Sequence, residues 1–179
     1  NDPDLDETLG CRLYCKLENM QRAGAFKFRG ASNAVLMLEE AGEPGDVATH
    51  SSGNHGAALA LAAKMAGRTA HVVMPDNSSP IKMEAVRRFG GRVHLCEATH
   101  EGRQAGLERL VDSGILAIHP YDDRNIIAGQ GTAALELEQE RVYGRQPGRP
   151  DLGPAPSPSR PEASLFDLVS AVSQVLKRF

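Results

Sequence analysis

Asp46-Val47-Ala48-Thr49-His50, then Ser51-Ser52-Gly53-Asn54-His55-Gly56, then the alanine-rich run Ala57 to Ala66 closed by Gly67, is the stretch on which the fold turns. A short β-type run, a loop of small polar residues and a helix of small side chains form the first half of a parallel β-α-β unit. The same rhythm continues on both sides. Downstream, Thr69 to Met74 reads as a buried strand stopped by Pro75, and Pro80 opens a helix with Met83, Val86 and Phe89 on one face before Gly90-Gly91. Arg92 to Cys96 is a further strand, Thr99 to Ser113 a helix with Leu107, Leu110 and Val111 inward, and Ile115 to His119 a strand before Pro120. Asn125 to Arg141 has helical character, weakened at its start by Gly129 and Gly131. Upstream, Arg12 to Lys16 is a candidate strand and Gly30 to Ala41 a helix ending at Gly42. Strands separated by helices of this length pair in parallel through right-handed crossovers. The expected fold class is therefore α/β, with a doubly wound parallel sheet whose ligands sit beyond the strand carboxyl ends.

Composition narrows the function classes. The chain has 179 residues, 41% hydrophobic, 24% charged and 4% aromatic, which suits one ordinary domain or one and a fragment. No apolar run approaches the roughly 18 residues of a membrane span, and the first thirty residues lack the pattern of a secretion signal. Lys plus Arg number 20 against 23 Asp plus Glu, giving a formal charge of −3. That balance exerts no broad pull on phosphate backbones or anionic lipid, so neither nucleic acid nor membrane is expected as a partner. Cys11, Cys15 and Cys96 cannot all pair, which fits a reducing, cytoplasmic setting.

Past Tyr143 the composition shifts. Gly144 to Ser164 holds six of the eleven prolines, with three glycines and three serines. We read 141–163 as a linker and 164–179 as an amphipathic helix, with Leu165, Leu168, Val169, Val172, Leu176 and Phe179 at helical spacing.

Two segments carry chemistry. The loop Ser51 to Gly56 can converge backbone N–H groups and hydroxyls on a carboxylate or phosphate at a helix N-terminus. Ser, Gly and Asn are equally what a tight turn and a helix cap prefer. The loop is neither a G-x-G-x-x-G fingerprint nor a Walker loop, so a nicotinamide or nucleoside triphosphate site has no support. In Ala25-Phe26-Lys27-Phe28-Arg29-Gly30 a lysine stands between two aromatics. Lys27 is either a solvated surface charge or a partly desolvated amine able to condense with an aldehyde cofactor. Phe26 and Phe28 have core packing as their alternative role. His50 and His55 lack carboxylate or cysteine partners at ligand spacing, and no metal is expected.

In combination, Lys16-Leu17-Glu18-Asn19-Met20-Gln21-Arg22-Ala23-Gly24-Ala25-Phe26-Lys27-Phe28-Arg29-Gly30-Ala31, Thr49 to Gly56, and Ile127-Ala128-Gly129-Gln130-Gly131-Thr132 resemble the serine racemase and serine/threonine dehydratase family. These are pyridoxal-phosphate enzymes of the tryptophan synthase β-like fold, and the resemblance runs from about Leu9 to Glu140. It implies pyridoxal 5'-phosphate as cofactor and a hydroxy amino acid, serine or threonine, as substrate. It also implies that Lys27 is the Schiff-base residue and the base for the α-proton, that Phe26 packs on the pyridine ring, and that Asn54 bonds its 3′-oxygen. Ser51, Ser52, Gly53 and His55 would cradle the substrate carboxylate, and Ser52 would be the acid/base on the opposite face. Racemisation by reprotonation and elimination of the β-hydroxyl are both open from one carbanion; self-association into a homo-oligomer is also open.

The chain departs from the family pattern in two ways. Ala25 stands where the family usually has serine. No run of adjacent glycines follows the Gln-Gly-Thr helix to bind the cofactor phosphate. The expected domain plan is a remnant of the large cofactor domain over 1–45 and a complete small α/β domain over 46–140. The expected fold is thus a truncated form of the family's. The alternative function is a catalytically silent isoform or fragment acting as a folding or interaction module.

Overall fold

Val47, Ala48 and Thr49, and likewise all of Ala70 to Pro75, are buried on both sides of the chain, as central strands of a helix-covered parallel sheet must be. A computed structural model describes residues 3–10 and 15–143. It forms a four-stranded sheet from β1 (Val47–His50), β2 (Ala70–Pro75), β3 (Arg92–Cys96) and β4 (Leu116–Ala117). The order is β3-β2-β1-β4 and every pairing is parallel, with Val47 opposite both Ala70 and Leu116, and Val73 opposite His94.

The described residues include six α-helices: α1 (Pro3–Leu9), α2 (Lys27–Glu40), α3 (Asn54–Met65), α4 (Pro80–Arg88), α5 (His100–Asp112) and α6 (Arg124–Tyr143). Residues 17–137 make one compact unit, and α1 belongs to another. Adjacent residues of one strand show that the sheet is covered twice. A Cβ added at Gly56 of α3 would lie 2.8 Å from Val72 Cγ1, and one added at Gly106 of α5 would lie 2.7 Å from Val73 Cγ1. Since Val72 and Val73 point to opposite faces, α3 and α5 do too, so the sheet is doubly wound as expected. The core is built on the α3 side from Ala58, Leu59, Ala63, Val47, Val72 and Met74, with Val35 of α2 and Val86 of α4 closing it.

Local chemistry sets the helix boundaries. α4 has Pro80 in its first turn, and Thr99 caps α5 by accepting from Gly102 N at 2.9 Å. Asp123 opens α6 by accepting from the amides of Asn125 and Ile126. Gly129 lies within α6 because α2 crosses there: a Cβ on it would meet Arg29 O at 2.6 Å and Gly30 Cα at 2.8 Å.

Several expectations need correction. Lys27 is the first residue of its helix, three positions earlier than Gly30, because Phe28 N and Arg29 N bond back to Ala25 O and Phe26 O and carry the coil outward. Asn54, His55 and Gly56 are the first turn of α3 rather than loop. The fourth strand shrinks to Leu116–Ala117. Val111 is 44% exposed, not inward, since α5 seats on the sheet through Gly106 and Leu107, and Val111 lies to one side of that line. Cys15 and Lys16 are not in a strand. Residues 12–14 of the same candidate, and the linker and terminal helix beyond Tyr143, lie outside the described residues; α6 runs through Tyr143.

Candidate functional site

From β1 the chain moves to β2 on one side, while β4 takes the place on the other side, so the segments leaving β1 and β4 part in opposite directions. Such a switch point opens a crevice at the carboxyl ends of the two strands. Ser51 to Gly53 form one lip and His119-Pro120 the other. Ser51 N donates to Val73 O at 3.0 Å, anchoring the first lip. Ser51 Oγ accepts from Gly53 N at 3.2 Å and Gly56 N at 3.1 Å. The capping role open to either serine therefore falls to Ser51 and leaves Ser52 exposed, with its hydroxyl outside these bonds. The amides of Ser52, Asn54 and His55 take no part in them either, and they sit at the positive end of α3.

Lys27 reaches this crevice from a distant part of the chain. Its Nζ donates to Pro120 O at 3.0 Å and lies 5.3 Å from the centre of the Phe26 ring. Burial lowers the Lys27 pKa below the ordinary lysine value, and no carboxylate counters the shift. Phe28 points into the core, whereas Phe26 remains 42% exposed beside the amine. The start of α2 is fixed by Arg29, whose guanidinium grips Glu18 (Nε to Oε2 2.9 Å) and Glu136 (Nη2 to Oε2 2.7 Å) and donates to Thr132 Oγ1. These charge-assisted bonds raise the Arg29 pKa and tie α2 to α6.

His55 is 3% exposed, and neither ring nitrogen has a hydrogen-bond partner. Burial first, then the charges of Lys27, His50 and His119, push its pKa down to about 3, while the nearby Ile118 backbone opposes the shift. His55 is neutral at pH 7. His50, the last residue of β1, meets His119 edge to face at 5.4 Å and is also held below its ordinary pKa by burial. His119 Nδ1 accepts from Asp122 N at 2.8 Å and Tyr121 N at 3.4 Å, which assigns its ring proton to Nε2.

The structure thus brings Lys27, Phe26, Ser51, Ser52, Gly53, Asn54 and His55 to the carboxyl edge of one sheet. Among the described residues, no group of three or more His, Cys, Asp or Glu side chains is placed to hold a metal. Sequence reasoning missed His119, Pro120 and Lys82. The pair His119-Pro120 carried a usable signal, since it directly follows the last strand at the switch point. Lys82, whose Nζ would lie 3.8 Å from a Cβ on Gly53, carried none. The surface depressions along Pro80–Arg88 and between α2 and α3 are lined by other residues.

Residues 2–152 match the family model described as pyridoxal-phosphate dependent enzyme. The chain is 47% identical over 137 residues to serine racemase of Arabidopsis thaliana, covering 76% of this chain and 41% of that protein. It is 44% identical over 137 residues to beta-hydroxyaspartate dehydratase of Paracoccus denitrificans, covering 76% and 44%. Among solved structures, the processed form of threonine deaminase isoform 2 from Solanum lycopersicum aligns with a TM-score of 0.70 at 37% identity, over 76% of this chain and 40% of that one. The chain spans about two fifths of the length of the curated relatives it matches.

Proposed function

The chain belongs to the pyridoxal-phosphate-dependent enzyme family, and from that premise we propose that it takes part in α-proton chemistry on a hydroxy amino acid, as a dehydratase (ammonia-lyase) or racemase. The observation that carries the proposal is the hydrogen bond from Lys27 Nζ to Pro120 O, which sets a desolvated amine in the switch-point crevice opposite the anion-binding loop. The site fits the cofactor on three counts. The amine has a carbonyl rather than a carboxylate as neighbour, an exposed aromatic face adjoins it, and a buried imidazole stands unpartnered close by.

When bound, pyridoxal phosphate supplies an electron sink for the pair left at Cα once a proton departs. Lys27 would hold it covalently, Phe26 would cover one face of its ring, and Asn54 would donate to its 3′-oxygen. The remaining work belongs to the chain. Once the substrate amine has taken its place on the cofactor, the freed Lys27 amine, with its basicity reduced by burial, would accept the α-proton at Nζ. The Ser52 hydroxyl, left outside the bonds that tie down Ser51, can give or take a proton on the opposite face. The Ser51–Gly53 loop and the first turn of α3 bind the substrate carboxylate, and neutral His55 adds no competing positive charge to that end. Residues 46–140 serve in this reading as the smaller α/β domain and 1–45 as part of a larger one. The partners are small amino acids such as serine or threonine, with self-association into a homo-oligomer, in a cytoplasmic setting in keeping with unpaired Cys15 and Cys96.

The test mixes the chain with pyridoxal phosphate, traps the imine with borohydride and locates the modified lysine by peptide mass spectrometry. Stoichiometric labelling confined to Lys27 and abolished in Lys27→Ala is the expected result. Weak labelling scattered over the lysines would refute the reading. It would favour the alternative, a catalytically silent module.

A further inference from the structure

The connection from β2 to α4 carries a hydroxyl that the crevice does not use. Ser79 is exposed, stands at the N-cap of α4 immediately before Pro80, and makes no capping bond with its side chain. Thr99, at the same place on α5, does cap its helix, accepting from Gly102 N at 2.9 Å. The Ser79 backbone is extended (φ −54°, ψ 131°), the conformation that a following proline favours. Onward the sequence reads Ser79-Pro80-Ile81-Lys82, with Ile81 also exposed.

An extended, exposed hydroxyl followed by proline and, two residues later, by a free cation is a pattern that a protein kinase can read. Pro80 has no N–H to leave unsatisfied in an apolar subsite, and Lys82 offers a charge to an acidic one. Among the described residues no carboxylate lies within ion-pair distance of Lys82, and the first turn of α4 holds no acidic residue. We propose that Ser79 is a phosphorylation site for a proline-directed protein kinase with an acidic subsite for Lys82, and that the phosphate draws the Lys82 ammonium from the lip of the crevice. In the transfer, Ser79 Oγ attacks the γ-phosphorus of a nucleoside triphosphate held by the kinase. The Oγ–P bond forms as the bond to the β-phosphate oxygen breaks, the nucleoside diphosphate leaves with that electron pair, and the hydroxyl proton passes to the kinase's catalytic carboxylate.

In the unmodified chain Lys82 lies along the loop: a Cβ built on Gly53 would meet its Nζ at 3.8 Å, Cδ at 3.9 Å and Cε at 4.0 Å. As the third residue after the N-cap, Lys82 can also reach back to Ser79, as the partner in a capping box does. Gly53 offers the ammonium no charge, whereas a phosphate on Ser79 offers a dianion and charge-assisted acceptors. The modification would therefore alter the charge beside the Ser51–Gly53 loop without touching Lys27. It needs no cofactor, so it stands or falls separately from the proposed function.

The same pattern recurs at Ser157-Pro158-Ser159-Arg160, outside the described residues, so the test uses the full chain carrying Ser157→Ala. That chain and a synthetic peptide of residues 74–86 are each incubated with magnesium ATP and a cyclin-dependent kinase, and phosphate is located by peptide mass spectrometry. Complete labelling of Ser79 is expected, with loss of labelling in Ser79→Ala and in Pro80→Ala. Ser78, whose hydroxyl is buried, should stay unlabelled. Phosphate on the peptide alone would show that the folded chain withholds Ser79, and phosphate on neither would show that the segment is not read; either result overturns the proposal, as does undiminished labelling of Pro80→Ala. In the phosphorylated chain, 31P NMR should give a second phosphate pKa below the ordinary value of about 6, and Lys82→Gln, phosphorylated to completion, should raise it toward that value. The Gly53 amide signal should move on phosphorylation in the chain with Lys82 and not in Lys82→Gln. A phosphate pKa and a Gly53 response that are the same in both chains would overturn the shift of Lys82 from the lip.

Discussion

Two glycines of α6, only two positions apart, are expected to respond in opposite ways to the same substitution. Gly129 faces α2, where a Cβ would come to 2.6 Å from Arg29 O and 2.8 Å from both Gly30 Cα and Asn33 Cβ. Two of these three atoms are backbone, so no rotamer change relieves the clash, and restoring ordinary contact near 3.4 Å requires the helices to part by several tenths of an ångström. Overpacking of this kind costs about 1–3 kcal/mol. A Cβ on Gly131 meets nothing within 4 Å. Both substitutions gain the same helix propensity, about 1 kcal/mol for glycine to alanine in a helix interior. Gly131→Ala should therefore stabilise the chain by up to about 1 kcal/mol, and Gly129→Ala should be neutral or destabilised by up to about 2 kcal/mol. Subtracting one variant from the other cancels propensity and isolates the cost of the helix crossing. Urea unfolding followed by circular dichroism at 222 nm supplies both free energies. If Gly129→Ala proves as stable as Gly131→Ala, the close approach of α2 and α6 is not what places glycine there.

Two further predictions concern titration. His55 has a folded pKa of about 3 against an ordinary 6.5, so the unfolded chain binds more protons between these values. The stability associated with neutral His55 is present above pH 6.5 and is lost as pH falls toward 3, by about 1.4 kcal/mol per pH unit. Urea midpoints measured across pH 4–7 should show this slope, and His55→Gln should flatten it; parallel curves for the two proteins would contradict the assignment. For Lys27, competitive acetylation as a function of pH should give a midpoint below the ordinary lysine value of 10.5. A midpoint at or above that value would show that the amine is not desolvated.

Much of the sheet was legible because its strands are short, apolar and bounded by turn residues. β3 occupies Arg92–Cys96 as read, and β1 and β2 differ from the reading by one residue at their ends. Boundaries failed where tertiary contact outweighs local pattern. Nothing local to Ile115–His119 says that only Leu116 and Ala117 pair with β1, and Val111 looks inward until α5 is seen to rest on Gly106. Within the candidate site, the sequence left Ser51 and Ser52 equivalent as caps. The two differ only through the hydrogen bonds from Gly53 N and Gly56 N, whose directions depend on the strand before them and the helix after them. Lys82 and His119 illustrate a general limit, since 29 residues separate Lys82 from Gly53 and 92 separate His119 from Lys27, and no periodicity spans such gaps.

The bond between Lys27 and Pro120 also orders events in time. Its two residues are 93 apart in the chain, and the Arg29–Glu136 grip that fixes the start of α2 spans 107. At about 5–20 residues per second, a ribosome takes roughly ten seconds to reach Pro120 after Lys27 has been added. Throughout that interval the lysine is a plain solvated ammonium, with no carbonyl to accept its hydrogen bond and no wall to strip its water. Its altered basicity arises only after the last strand and the helix beyond it have been made and packed. Lys27 is therefore made well before its basicity is lowered, and an aldehyde encountered by a half-made chain would find it no different from any other lysine.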